Sequence, residues 1–300
     1  MSRSELNWQM TGLFLLALAV LIFVMKLVTL LLSPAANRNW SWRFWLQPSP
    51  NSLERLSPAN RPTRILFRTL WWLTLLVLSY WLYGKLVTVV PGHTLLLNYA
   101  ALPILLSMSE FLATSQTLIW LPGGQLLPPV HNRPWLAHSL AEFWGQRWNL
   151  WFSDWFRSVI LARLRRRPLL ALILIFAISG VMHEWVINVP LYFLTGSVMF
   201  GSMMAYFLLQ AIGILLERRF LRGYDRLRIA FAWLLVIVPA PLIMNEGLLR
   251  TLQLWPEPVS VSITRRVALA PGGCDLCGHF FGINPQRLYP APQVIMATER

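Results

Sequence analysis

Six stretches of this chain are long and apolar enough to cross a bilayer, and nothing else in the sequence constrains its fold as strongly. A hydrocarbon core of about 30 Å takes about 20 residues of helix. The six run roughly over 12–32, 68–90, 95–120, 169–190, 197–216 and 229–249. Hydrophobic residues make up 56% of the 300 positions and charged residues only 13%, about half the charged share of a soluble domain. The expected fold is an all-α integral membrane protein with about six transmembrane helices in one multi-pass domain spanning 1–300. An irregular tail rich in Pro and Gly begins near 250. The first run, "GLFLLALAVLIFVMKLVTLLL", exceeds a signal-peptide core and reads as an uncleaved span, with cleavage at the following "SPAA" as the alternative. In the third, Pro103 is expected to kink the helix, and Glu110, Thr114, Ser115 and Gln116 make its second half polar.

The formal net charge is +14, carried by 24 arginines and two lysines. Loop 33–64 holds five arginines, loop 121–168 seven and loop 217–228 five, whereas the connections near 91–94 and 191–196 hold none. Alternate loops are therefore basic, which places the three basic ones in the cytosol and both termini outside. Arginines lying in loops between apolar runs speak for orientation and anionic headgroups rather than nucleic acid. Lys26 and Lys85 lie near helix ends and are expected to snorkel. Cys274 and Cys277 form a C-x-x-C with only His279 beside them. A zinc site wants four ligands, so this pair reads as free thiols or a disulfide, and no metal is expected.

The stretch "FWGQRWNLWFSDWFR" (143–157) is too polar to span a bilayer and too aromatic for an ordinary surface helix. Read as a helix over 137–164, it gathers Trp144, Trp148, Trp151, Phe152 and Trp155 on one face. Glu142, Gln146, Asn149, Ser153 and Arg157 gather on another. It is expected to lie in or near the cytosolic interface. Asn149 fits a plain anchor helix poorly, because an amide is useful where a bound carbonyl must be held.

The fourth span carries His183 followed by Glu184. Ionisable groups at such depth usually face a protein interior or a wet cavity. A lone buried histidine is more often structural, yet histidine also suits general-base work near neutral pH. Ser179 and Gly180, one turn earlier, leave room for a helix or a substrate to approach.

Taken together, "EFWGQRWNLWFSDWFR" followed 34 residues after Asn149 by the histidine of "ISGVMHE" resembles the membrane-bound O-acyltransferase superfamily, and most closely its wax synthase-like branch. The resemblance covers residues 139–186. It implies His183 and Asn149 as catalytic residues, and Trp144, Arg147, Trp148 and Glu184 as substrate-binding ones. It implies acyl-CoA as co-substrate, a lipophilic alcohol as acceptor and no cofactor. His183 would be the general base. Asn149 would donate to the oxyanion or place the thioester. Arginines of 163–167 would meet the CoA phosphates or act only as a topology signal. The setting expected is a bacterial plasma membrane, or the endoplasmic reticulum in a eukaryote, with membrane lipids as the surroundings. Competing readings are a sterol or terpenoid acyltransferase of the same family, a transporter, which the lack of inverted repeats speaks against, and a scaffold.

Overall fold

A computed structural model describes residues 3–32, 44–45, 54–55, 62–90, 94–196 and 198–254. These fall within the unit Met1–Pro256. The C-x-x-C tail lies outside the described residues.

The protein is an all-α integral membrane protein. Lipid offers the backbone no hydrogen-bond partners, so an apolar run of this length closes its bonds internally as helix. Six long helices follow: α1 Arg3–Leu32, α2 Pro62–Val89, α3 Leu102–Trp120, α4 Pro168–Thr195, α5 Ser202–Phe220 and α6 Asp225–Ile237. Among the described residues, five helical stretches are long and apolar enough to cross a membrane: Trp8–Leu32, Pro62–Val89, Thr94–Gly123, Pro168–Leu194 and Asp225–Ile243. The sixth expected span is α5. It is displaced toward the C-terminus relative to 197–216, and its last turn carries Glu217, Arg218 and Arg219.

The third span is interrupted next to Pro103, as expected, by a break rather than a smooth kink. A short helix, Thr94–Ala100, stops at Ala101, and Pro103 stands in the first turn of α3, where its missing N–H has no helical partner to lose. Lys26 does not snorkel. It is 5% exposed and lies 4.7 Å from the centroid of the Phe44 ring.

Leu66, Phe67, Trp71 and Trp81 of α2 face outward, as expected where lipid rather than water is the solvent. The interior is divided among three clusters. Tyr83, Leu97, Ile104, Ile187, Met203 and Met244 join α2, α3, α4 and α5. Met25, Trp155, Phe156, Ala171 and Met182 seat α1 on α4. Leu140, Phe176, Phe207, Ala211 and Ala232 fill the space between α4, α5 and α6.

Two contacts fix α4 against α5. A Cβ on Gly180 would stand 2.8 Å from Met204 Sδ and 3.0 Å from Met204 Cα, so only glycine lets the backbones approach this closely. Beside it, Glu184 is 1% exposed. Its Oε1 accepts from the backbone N–H groups of Gly201, Met203 and Met204 at 2.9, 3.0 and 3.1 Å. The carboxylate therefore caps α5 from the neighbouring helix, meeting both its orphan donors and its dipole.

After Trp120 the chain turns back on itself. A 3₁₀ turn, Leu121–Gly123, leads to Gly124 in the left-handed region (φ 65°). Gln125–Leu126 then pairs antiparallel with Glu54–Arg55. By His131 the chain has returned to Glu110, ten residues up α3, or about 15 Å at the helical rise.

Candidate active site

The stretch 137–164 is not one helix. A short helix, Leu140–Glu142, passes into a π-helical turn, Phe143–Arg147. The chain breaks at Trp148 and Asn149 and restarts as Leu150–Phe156, then closes with a second π-turn, Arg157–Leu161. Each end is satisfied by a named group. Ser139 Oγ accepts from the Glu142 N–H at 3.0 Å, and the Leu140 N–H donates to Glu217 Oε2 at 2.5 Å. The Asn132 N–H donates to the Arg147 carbonyl, and the Leu150 N–H to the Val130 carbonyl, both at 2.8 Å. The returning loop thus clamps the break from both sides.

Asn149 has φ 42° and ψ 63°. This left-handed conformation is costly for most side chains and best tolerated by Asn after Gly. Its Oδ1 accepts from the Phe152 N–H at 3.4 Å and caps the restarted helix. With the amide oxygen used in this way, the group it offers outward is its NH2. Arg147 Nε donates to Glu142 Oε1 at 2.6 Å, and its Nη1 reaches the Asn132 carbonyl at 3.3 Å. Burial alone would raise the Glu142 carboxyl, but the His138 backbone N–H and the Arg147 guanidinium outweigh it and hold the group below its usual range. The guanidinium of Arg147, expected to meet substrate, is engaged with its own turn.

Two of the motif's aromatic residues pack against other helices or lie buried. Phe143 and Leu140 are buried. Trp144 packs edge-on against Phe176 at 5.8 Å, and against Tyr206 and Phe207 at 6.3 and 5.8 Å. Phe176 lies eight residues into α4, about 12 Å from its start. The motif is therefore inserted between helices, where non-helical backbone is tolerated because protein surrounds it. Trp144 Nε1 donates to Gln210 Oε1 at 3.2 Å, and Gln210 Nε2 to the Leu235 carbonyl at 2.9 Å. Both are needed because Gln210 is 0% exposed, and an unpaired amide there would be expensive.

His183 lies fifteen residues beyond Pro168, about 22 Å along α4. Its Nδ1 is 2.7 Å from the Ser179 carbonyl. A carbonyl only accepts, so Nδ1 carries the proton and Nε2 is the basic nitrogen. The ring lies 4.5 Å from that of Phe207. Trp144 and His183 thus flank the same aromatic ring. No hydrogen bond joins Asn149 to His183.

Glu184, read from the sequence as substrate-binding, has both oxygens engaged by protein. Oε1 holds α5, and Oε2 accepts from Asn188 Nδ2 at 2.7 Å. Trp148 stacks on Phe143 with centroids 5.6 Å apart and lies 4.3 Å from the ring of His131. His131, Phe207 and Gln210 were not legible as site residues. The nearest signal was Glu110, a carboxylate inside a span that required a partner; it has two, His131 and Arg68. Among the described residues, no group of three or more His, Cys, Asp or Glu side chains is arranged to hold a metal.

Residues 127–211, which include His131, Asn149 and His183, match the profile of the "Membrane bound O-acyl transferase family". Curated relatives agree. The chain is 34% identical over 104 residues to a probable long-chain-alcohol O-fatty-acyltransferase 9 from Arabidopsis thaliana, covering 31% of this chain and 30% of the relative. A probable long-chain-alcohol O-fatty-acyltransferase 7 from the same plant is 27% identical over 176 residues, 55% of this chain and 48% of that one. The long-chain-alcohol O-fatty-acyltransferase of Simmondsia chinensis is 40% identical over 83 residues, 24% of each chain. The matches to these three span at most about half of the relatives' length. Over the matched region, where the break at Asn149 is followed by the histidine of α4, the chain is similar to the membrane-bound O-acyltransferase family and to its long-chain-alcohol O-fatty-acyltransferases.

Proposed function

We propose that the protein transfers an acyl group from acyl-CoA to the hydroxyl of a lipophilic alcohol, a long-chain alcohol being the favoured acceptor. The observation that carries this reading is the Nδ1–H of His183 bonded to the Ser179 carbonyl, which leaves Nε2 as the acceptor nitrogen on a ring that shares Phe207 with the motif tryptophan. Nε2 accepts the hydroxyl proton as the alcohol oxygen attacks the thioester carbonyl. The Asn149 NH2 donates to the carbonyl oxygen as negative charge builds there, a contribution of about 3 kcal/mol where such a donor is well placed. The tetrahedral intermediate then collapses, the carbon–sulfur bond breaks, and the CoA sulfur leaves with the proton that His183 had taken.

Arg157 and Arg165 border a groove of about 340 Å³ at the start of α4, with Leu161, Ala162, Leu164 and Pro168. A basic groove suits the CoA phosphates. Its separation from His183 along α4 suits the long pantetheine arm that joins those phosphates to the sulfur. The relatives named for long-chain-alcohol acylation support the acceptor class.

The test incubates membranes holding the protein with labelled palmitoyl-CoA or acetyl-CoA and a panel of long-chain alcohols, sterols, diacylglycerol and terpenols. His183→Ala, expressed to the same level, runs beside it. The expected outcome is ester from the parent, best with the long-chain alcohols, and none from the variant. Ester that survives the substitution removes His183 as the base. No ester on any acceptor overturns acyl transfer to this class.

A further inference from the structure

Among the described residues outside the His183 region, Arg68, Glu110 and His131 form a linked group of ionisable side chains. Glu110 Oε2 accepts from Arg68 Nη2 at 2.8 Å, and Oε1 lies 3.2 Å from His131 Nδ1. The Glu110 side chain is 5% exposed and that of His131 2%, whereas Arg68 is half-exposed at the rim. With Arg68 on one carboxylate oxygen, the other is left to accept the imidazole N–H, which fixes the ring's orientation.

That orientation matters for the motif. The His131 ring packs on Trp148, and Trp148 on Phe143. The residues on either side of His131 supply the two backbone bonds that clamp the break, Val130 to Leu150 and Asn132 to Arg147. Trp148 immediately precedes Asn149. A buried carboxylate–imidazole pair is a poor way to stabilise a core, since apolar residues of similar volume often do as well or better. What it adds is a defined geometry. We infer that Glu110 and His131 form a positioning dyad that sets the Trp148–Asn149 turn for acyl transfer, with Arg68 anchoring the carboxylate.

This rests on the acyl-transfer reading above and adds a second histidine to it, one that acts through Trp148 rather than on the substrate. Glu110→Met combined with His131→Phe replaces the network by apolar groups of similar volume. The expected result in the full-length protein is an unfolding midpoint in detergent at or near the parent's. In the same variant kcat falls about 100-fold, the scale of a misplacement of about 1 Å, with KM for acyl-CoA within about two-fold, since the lost interaction is one made in the transition state. His131→Asn, which returns an amide N–H near the position of Nδ1, recovers most of kcat. Parent-like kcat in the double variant overturns the proposal. So does a loss in His131→Asn as deep as in the double variant, accompanied by loss of one limb of the pH–rate profile, because His131 then handles a proton itself.

A cycle of His131→Ala, Trp148→Ala and their combination needs no turnover. Non-additive shifts in unfolding midpoint support the clamp, and additive shifts overturn it. A parent that makes no ester on any acceptor defeats the reading of function, and is recognised by that result alone, while the cycle still decides whether the dyad holds the turn.

Discussion

Glu184 lies next to the proposed base, yet its geometry assigns it to the fold. Its Oε1 receives three backbone N–H groups of α5 between 2.9 and 3.1 Å, and its Oε2 receives Asn188 Nδ2 at 2.7 Å. Asn188 is pinned in turn, because its Oδ1 accepts from the Met199 N–H at 2.7 Å. In Glu184→Gln the amide oxygen can still serve the three N–H groups, but the new NH2 faces the NH2 of Asn188. A buried donor without an acceptor costs about 1–3 kcal/mol, and the lost charge at the helix N-terminus adds about 0.5–1. Glu184→Ala uncovers the three backbone N–H groups, while Asn188 Nδ2 keeps its bond to the residue-184 carbonyl at 3.0 Å, and should cost about 3–5 kcal/mol. At about 3 °C per kcal/mol for a chain of this size, the alanine variant unfolds about 9–15 °C lower and the glutamine variant about 5–12 °C lower. The assay pairs the unfolding midpoint in detergent with ester formed per folded molecule. Activity should fall in the same order as stability, because α5 carries Phe207 against His183. A glutamine variant with the parent's midpoint and no activity would refute this reasoning, since the carboxylate would then be acting on the reaction.

Other substitutions separate roles that coincide in one residue. Asn149→Asp keeps both the helix cap and a side chain that tolerates φ 42° but removes the NH2. It should fold as the parent does, with kcat lowered about 100- to 1000-fold, and a rate near the parent's would show that the amide donor is not used. Gly180→Ala meets the Met204 backbone at 3.0 Å and should cost about 1–3 kcal/mol, read as a lower midpoint. Glu142 is held below its usual range, so its stabilising contribution is present at neutral pH. That contribution is lost as pH falls through its folded-state value. The gap in midpoint between parent and Glu142→Gln should therefore be widest near pH 7 and close in acid.

How much of this was legible depends on whether the cause is local. The spans were readable because a helix in lipid closes its hydrogen bonds within itself, so an apolar run of sufficient length contains its own instructions. The motif pair was readable from side-chain chemistry: an amide amid aromatics, then a histidine deep in the next span. The form of the aromatic segment was not readable. Its three- and four-residue spacing fits an interfacial helix, but aromatic residues that seek an interface and those that pack against other helices make the same pattern. What the segment packs on is set by Glu217 on Leu140, by Gln210 on Trp144 and by the α4 and α5 rings around Trp144. The same holds for Glu184, whose Oε1 partners lie seventeen to twenty residues away, and for Glu110 with His131, twenty-one apart. Periodicity and composition describe what a segment can bury. Which surface it buries, and which polar group answers which, is decided only when distant parts of the chain meet, because an unpaired polar group inside the bundle is too costly to leave without a partner.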